Sequence, residues 1–227
     1  MGSLVGYALA DGIATITLDD GKANALSPNM QAEINDALDQ AMKDEAAVVL
    51  TGRDGMFSAG FDLKVLGSGG MDAIGMVKGG FLLAERLLSN PKPVVIACTG
   101  HAIAMGVFLL LCGDYRVGGT GAYRIIANEV AIGLTMPLPA IEICRQRLNP
   151  AHFSRAIINA ELFSADNAVE AGFLDRVVAP EDVAGTARDK AVELLQLDQN
   201  AHTQTKLKAR SEPLKALRSA IEAEFGA

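Results

Sequence analysis

Up to about residue 139 the chain alternates strand-like and helix-like segments, and beyond that point its pattern is mostly helical. That order narrows the fold most, because strands separated by helical crossovers build an α/β core. "LVGYALADG" and "IATITLDDG" alternate apolar and polar residues around a turn, which predicts a β-hairpin. Ser27 stands at an N-cap position ahead of Met30, Ile34, Leu38 and Met42, which recur at helical spacing. "AAVVLTGRDG" reads as a buried strand closing on a Gly turn. Residues 71–89 read as a helix that Pro91 and Pro93 end before the strand "VVIACTG". An apolar helix follows over 104–112, and "DYRVGG" and "AYRII" return to strand. Helices are then expected over 139–148, 150–160, 165–171, 181–196 and roughly 201–224.

The 227 residues are 50% hydrophobic and 21% charged, which suffices for one large buried core. The expected division is a core over 1–195 and a helical tail over 196–227. The charged tail reads as a solvated helical face, or else as a surface for a neighbouring subunit. A net charge of −7 without a Lys/Arg block argues against nucleic acid as a partner. Cys98, Cys112 and Cys144 form no CxxC pair and lie among apolar residues, as reduced buried thiols would. Three His without ligand spacing predict no metal site. The start of the chain lacks a basic, apolar leader, and "AIAMGVFLLLCG" is too short to span a bilayer, so a soluble cytoplasmic protein is expected.

Three stretches could carry chemistry. In "FSAGFDLK" (57–64), Gly60 permits a sharp turn that can aim free backbone N–H groups at an anion, and Asp62 could cap the next helix. In "GHAIAMGVFLLLCGD" (100–114), small residues precede a buried helix that would start near Ala104. In "IIANEVAIGLTMP" (125–137), Glu129 sits among apolar neighbours, a costly place for a carboxylate unless it is paired or protonated.

Together these segments resemble the crotonase superfamily of acyl-CoA enzymes, the enoyl-CoA hydratases and isomerases. The family's first signature stands here as Phe57-Ser58-Ala59-Gly60-Phe61-Asp62-Leu63. Its glycine-rich turn, helix and cysteine-aspartate run from Gly100 to Asp114, with Gly113 as one extra residue. "KANAL" and "SADNAVEAGFLDRVV" (164–178) also match, so the resemblance covers about residues 4–195. It implies a ClpP/crotonase α/β fold: a superhelix of ββα turns forming two roughly perpendicular sheets, with a C-terminal helical region that builds trimers or pairs of trimers.

The resemblance also implies a site. An acyl-CoA thioester oxygen would lie between the backbone N–H groups of Phe61 and Met105, the latter at a position where many members carry glycine. Ala59, Phe61, Asp62, Leu63 and Lys64 would line the coenzyme A end, with Lys64 placed for a phosphate, and the segment 65–80 would form a mobile pocket wall. Coenzyme A is part of the substrate, and no separate cofactor is implied. Hydratases of the family use two glutamates; Phe108 stands in place of the first, while Glu129 falls on the second with a one-residue shift. A single carboxylate suits Δ3-to-Δ2 enoyl-CoA isomerisation, and Asn128-Glu129 matches the isomerases' own pair. Hydration would need another acid, of which Glu142 is the nearest in sequence; thioester hydrolysis and a non-catalytic acyl-CoA-binding protein are the other readings. Glu129 could instead be a structural acid paired to an arginine such as Arg124.

Overall fold

The computed structural model describes residues 2–226. β1 (Val5–Ala10) and β2 (Ile13–Leu18) form the expected antiparallel hairpin, turning at Asp11 and Gly12, both at positive φ. After α1 (Pro28–Lys43) the chain lays β3 (Ala47–Gly52) parallel to β2, and β5 (Val94–Cys98), β7 (Tyr115–Gly119) and β9 (Arg176–Val178) extend the same six-stranded sheet in the order β1-β2-β3-β5-β7-β9. A second, three-stranded parallel sheet is made of β4 (Gly55–Ser58), β6 (Gly100–Ile103) and β8 (Ile125–Ile126). Successive turns of the chain thus give one strand to each sheet. The first two then add helix: α2 (Leu63–Ser68) and α3 (Gly70–Ser89) after β4, and α4 (Met105–Leu110) after β6. Within the small sheet β4 and β6 approach so closely that a Cβ on Gly100 would lie 1.9 Å from the Gly55 carbonyl carbon.

The short strands β4, β6 and β9 have three or four residues each, too few for alternation to reveal them. In α1, Ser27 Oγ accepts from Met30 N–H at 3.2 Å, and Met30, Ile34 and Leu38 are buried as expected. Met42, however, is 41% exposed and Ala41 takes the fourth core position. Four-residue steps overshoot a 3.6-residue turn, so the buried stripe must correct by a step of three. The segment 65–80 is also not a loop. It is helix interrupted at Gly69, with Gly69 and Gly70 at positive φ, and Gln31 Nε2 of α1 pins it by donating to Met76 O at 2.9 Å and also to Leu26 O at 3.0 Å.

The helical region comprises α5 (Leu138–Arg145), α6 (Pro150–Ile157), α7 (Ala165–Ala171), α8 (Val183–Leu195), α9 (Gln199–Ala209) and α10 (Ser211–Phe225). The tail is not a wholly solvated helical face, because its apolar side packs on its own chain. Leu214, Leu217 and Ile221 of α10 join the main hydrophobic cluster, packed against α3 and α5 of the same chain. Below them Asp114 gathers Lys206 at 2.7 Å, Arg210 at 2.9 Å and Val94 N–H at 2.8 Å. Lys206 Nζ also donates to Lys92 O, and Arg210 Nη1 to Leu88 O. Among the described residues no helix is long and apolar enough to cross a membrane.

Candidate active site

All three chemistry-bearing stretches meet beyond the carboxyl ends of the small parallel sheet. Gly60 follows β4, Ala104 and Met105 follow β6, and Glu129 follows β8. Ala104 N–H donates to Ile126 O at 2.9 Å, which ties the second segment to the third. Gly60 (φ 91°) lies against the second: a Cβ there would stand 2.9 Å from Ala104 Cβ and 3.2 Å from Met105 N. Met105 opens α4, so its N–H has no intrahelical acceptor. Among the described residues, neither Phe61 N–H nor Met105 N–H finds a hydrogen-bond acceptor elsewhere in the chain. The sharp turns therefore leave two donors free.

Residues the sequence reading left without a role hold this arrangement. Asn24, in "KANAL", is fully buried at φ 49° and donates from Nδ2 to Leu18, Met56 and Phe57 carbonyls. Ser58 Oγ donates to Asn24 O at 2.8 Å and accepts from Gly60 N–H at 3.2 Å. An Asn flanked by alanines between a strand and a helix cap was the available signal, since Asn tolerates left-handed backbone.

Ala104 carries φ 50° and ψ −125°, a conformation that costs a residue with a Cβ about 1–3 kcal/mol. Ala104→Gly is therefore expected to stabilise the protein by roughly 1 kcal/mol, read as a raised urea midpoint with unchanged slope. A lower midpoint would show that the alanine methyl contributes more by packing than the backbone loses by strain.

Glu129 is 8% exposed, and its Oε2 has no hydrogen-bond partner among the described residues. Burial pushes its carboxyl up to about 7. Its backbone is fixed instead: Glu129 O accepts from Ile132 and Leu134 N–H at 3.1 and 2.9 Å, around a turn closed by Gly133 at φ 81°. The pairing with Arg124 that a structural acid would need is not made; Arg124 is surface-exposed, and its backbone N–H donates to His101 Nδ1. Glu142 pairs with Arg145 at 3.3 Å along α5. The neighbouring Asn128 Oδ1 is likewise buried without a partner.

Phe108 is buried on α4, where its ring stacks on Phe81 of α3 with centroids 6.2 Å apart. Phe61 meets Phe81 edge-on at 6.3 Å, so an apolar aromatic wall stands beside the free donors. Phe81 had no distinguishing signal in the sequence. The remaining expected binding residues form a rim. Ala59 and Asp62 are half-buried, with Asp62 capping α2 through Lys64 N–H at 2.8 Å, while Leu63 (73% exposed) and Lys64 face outward. The three thiols are buried and free; Cys98 and Cys112 are pushed up to about 12 and Cys144 higher still, so none supplies a thiolate. No metal-ligating cluster occurs among the described residues. Two open grooves of 500 and 520 Å³ lie elsewhere, against α9 and between α1 and α3, and neither reaches Glu129. The unpaired carboxylate and the free donors, not a groove, mark the candidate site.

A family model described as enoyl-CoA hydratase/isomerase matches residues 9–226. A Mycobacterium tuberculosis protein whose structures are described once as an enoyl-CoA isomerase and once as the probable enoyl-CoA hydratase EchA3 shares 49% identity over 100% of this chain and 99% of that one in the first, with a TM-score of 0.96. The human mitochondrial Δ3-Δ2-enoyl-CoA isomerase structure is 26% identical over 98% of this chain and 89% of its own, at a TM-score of 0.93. A probable enoyl-CoA hydratase, EchA17 of M. tuberculosis, is 29% identical over 181 residues, 78% of this chain and 68% of that protein. Matched over nearly its full length, the chain belongs to the enoyl-CoA hydratase/isomerase family and is an acyl-CoA enzyme of the crotonase superfamily.

Proposed function

We infer that this enzyme moves the double bond of a 3-enoyl-CoA to the 2-position, using Glu129 as a single proton shuttle. The supporting observation is one buried, unpaired carboxylate on the turn after β8, with Phe108 at the position where the family's hydratases carry a second acid. The thioester oxygen would lie between the N–H groups of Phe61 and Met105. Glu129 removes a proton from C2, and the electron pair delocalises onto the thioester oxygen as a dienolate held by the two donors. Return of the same proton to C4 leaves the double bond between C2 and C3, with no atom gained or lost. Preorganised donors of this kind contribute roughly 3–4 kcal/mol each where measured in other enzymes. Burial helps twice: it raises the basicity of Glu129 toward the working pH, and the aromatic wall keeps water off the dienolate.

Hydration remains the second reading, favoured by the hydratase name of the EchA17 relative. It must hold and activate a water, and Phe108 has no group for that. Offering the purified enzyme 3-enoyl-CoA and 2-enoyl-CoA separates the two. Conversion of the first without hydration of the second is expected, and efficient hydration of the second would overturn the isomerase reading. A homotrimer, or a pair of trimers, is proposed for the assembly on the family resemblance alone.

A further inference from the structure

The middle of α3 carries Gly75, Gly79 and Gly80, although glycine inside a helix is destabilising relative to alanine. What a Cβ would meet at each tells them apart. At Gly75 there is open space, and at Gly79 the far end of the flexible Gln31 side chain, whose Oε1 would lie at 2.5 Å. Gly80 is buried, and a Cβ there would lie 2.5 and 2.7 Å from Cε1 and Cζ of the Phe61 ring and 3.5 Å from Met105 Cγ. One glycine therefore faces the side chains of both residues proposed above as oxyanion donors.

The Phe61 ring lies over the bare backbone of α3, and Phe81, the next residue along that helix, meets it edge-on. Its main chain follows the Gly60 turn, which already abuts Ala104. Met105 is braced from the other side: a Cβ on the following Gly106 would lie 2.4 Å from Ser58 O, so α4 sits directly on the end of β4. Because α3 is itself packed against α1, α4 and α10, a side chain at position 80 would push the ring and not the helix. The ring can give way only by turning against Phe81 or by carrying its own backbone, and with it the N–H, away from Met105.

We propose that Gly80 is a positioning residue for the oxyanion hole: the bare backbone it leaves on α3 seats the Phe61 ring, and that seat fixes the Phe61 N–H relative to the Met105 N–H. This rests on the site reading above, in which both groups donate to the thioester oxygen. The test compares wild type, Gly80→Ala, Phe61→Leu and the double variant on 3-hexenoyl-CoA, each first shown folded by circular dichroism. Gly80→Ala should lower kcat about 10- to 100-fold, the scale of a misplaced catalytic group, while calorimetric binding of hexanoyl-CoA changes little. Phe61→Leu keeps the N–H and should cost only a few-fold. Leucine lacks the Cε1 and Cζ atoms that the Cβ would meet, so kcat of the double variant should recover to near that of Phe61→Leu, where independent losses would multiply. A folded Gly80→Ala enzyme with near-normal kcat overturns the proposal, and so does a double variant no faster than Gly80→Ala. If Gly80→Ala does not fold, the double variant decides: folded with the kcat of Phe61→Leu it supports the seat, and unfolded or slow it overturns it. If wild type hydrates 2-hexenoyl-CoA instead, the isomerase reading fails and the same comparison runs on that substrate, because both reactions use the donors. Absence of turnover of both substrates by wild type is a failure of the site reading, visible before any variant is made, and overturns the proposal with it.

Discussion

Glu129→Gln is expected to lower turnover by about 10³–10⁴-fold while acyl-CoA binding changes little, because the amide keeps the shape and loses the basicity. It is also expected to stabilise the protein in alkaline solution. The folded-state value of Glu129, about 7, lies above its ordinary 4.5. A carboxyl raised in this way favours folding most below its unfolded pKa, and that contribution is lost as pH rises through about 7. The gap corresponds to roughly 3 kcal/mol, which wild type forfeits between about pH 5 and 8 and the amide variant does not. Urea midpoints of both proteins at the two pH values measure it, and parallel pH dependence would show that burial does not penalise this carboxylate. In wild type, kcat/KM for the isomerisation should fall tenfold per pH unit below about 7, as a base that must be ionised requires. Retention of more than a few per cent of turnover by Glu129→Gln would remove it as the base.

The second large effect is expected at Gly60. An added Cβ would press on Ala104 Cβ, Ile103 O and Met105 N at 2.9, 3.0 and 3.2 Å, in a backbone conformation (φ 91°) that L side chains rarely adopt. Gly60→Ala should cost about 1–3 kcal/mol of stability by overpacking and strain. More tellingly, it should spread the two donor-bearing turns and reduce kcat by about 10²–10³-fold, the scale of a lost oxyanion donor. Direct replacement of Met105 by Pro is a poorer test, because the φ 50° of Ala104 is unsuited to a residue preceding proline. Circular dichroism must show Gly60→Ala folded first. A folded variant with near-normal kcat would detach the two N–H groups from catalysis.

The two tests fall on residues that differ in how far sequence could reach them. Glu129 was conspicuous because a lone acid among Ile, Ala and Val violates apolar patterning, and burial without a partner is what the structure shows. Gly60 was legible as a turn, and Ser27 and Asp62 as caps, because each rule there is local. The hairpin, α1 and the strands β3 and β5 were legible for the same reason. What could not be read was anything set by distant contacts. Asn24 matters through carbonyls more than thirty residues ahead, β4 and β6 depend on pairing with each other and β6 also with β8, and Phe81 gains meaning from rings on α4 and α10. The rejected pairing of Glu129 with Arg124 belongs here too, since proximity in sequence said nothing about which face each side chain would take.

The pairing of Asp114 with Lys206 and Arg210 bears on how the protein comes into being. The acid is laid down near the middle of the chain, and both of its cationic partners arrive almost a hundred residues later. During synthesis from the amino terminus, the core strands emerge first, yet the carboxylate at their base cannot enter a dry interior until α9 and the start of α10 have been made. The same late segment carries Phe225, whose ring stacks on Phe81. A chain cut before α9 would therefore leave Asp114 without both of its cationic partners at the base of the sheet.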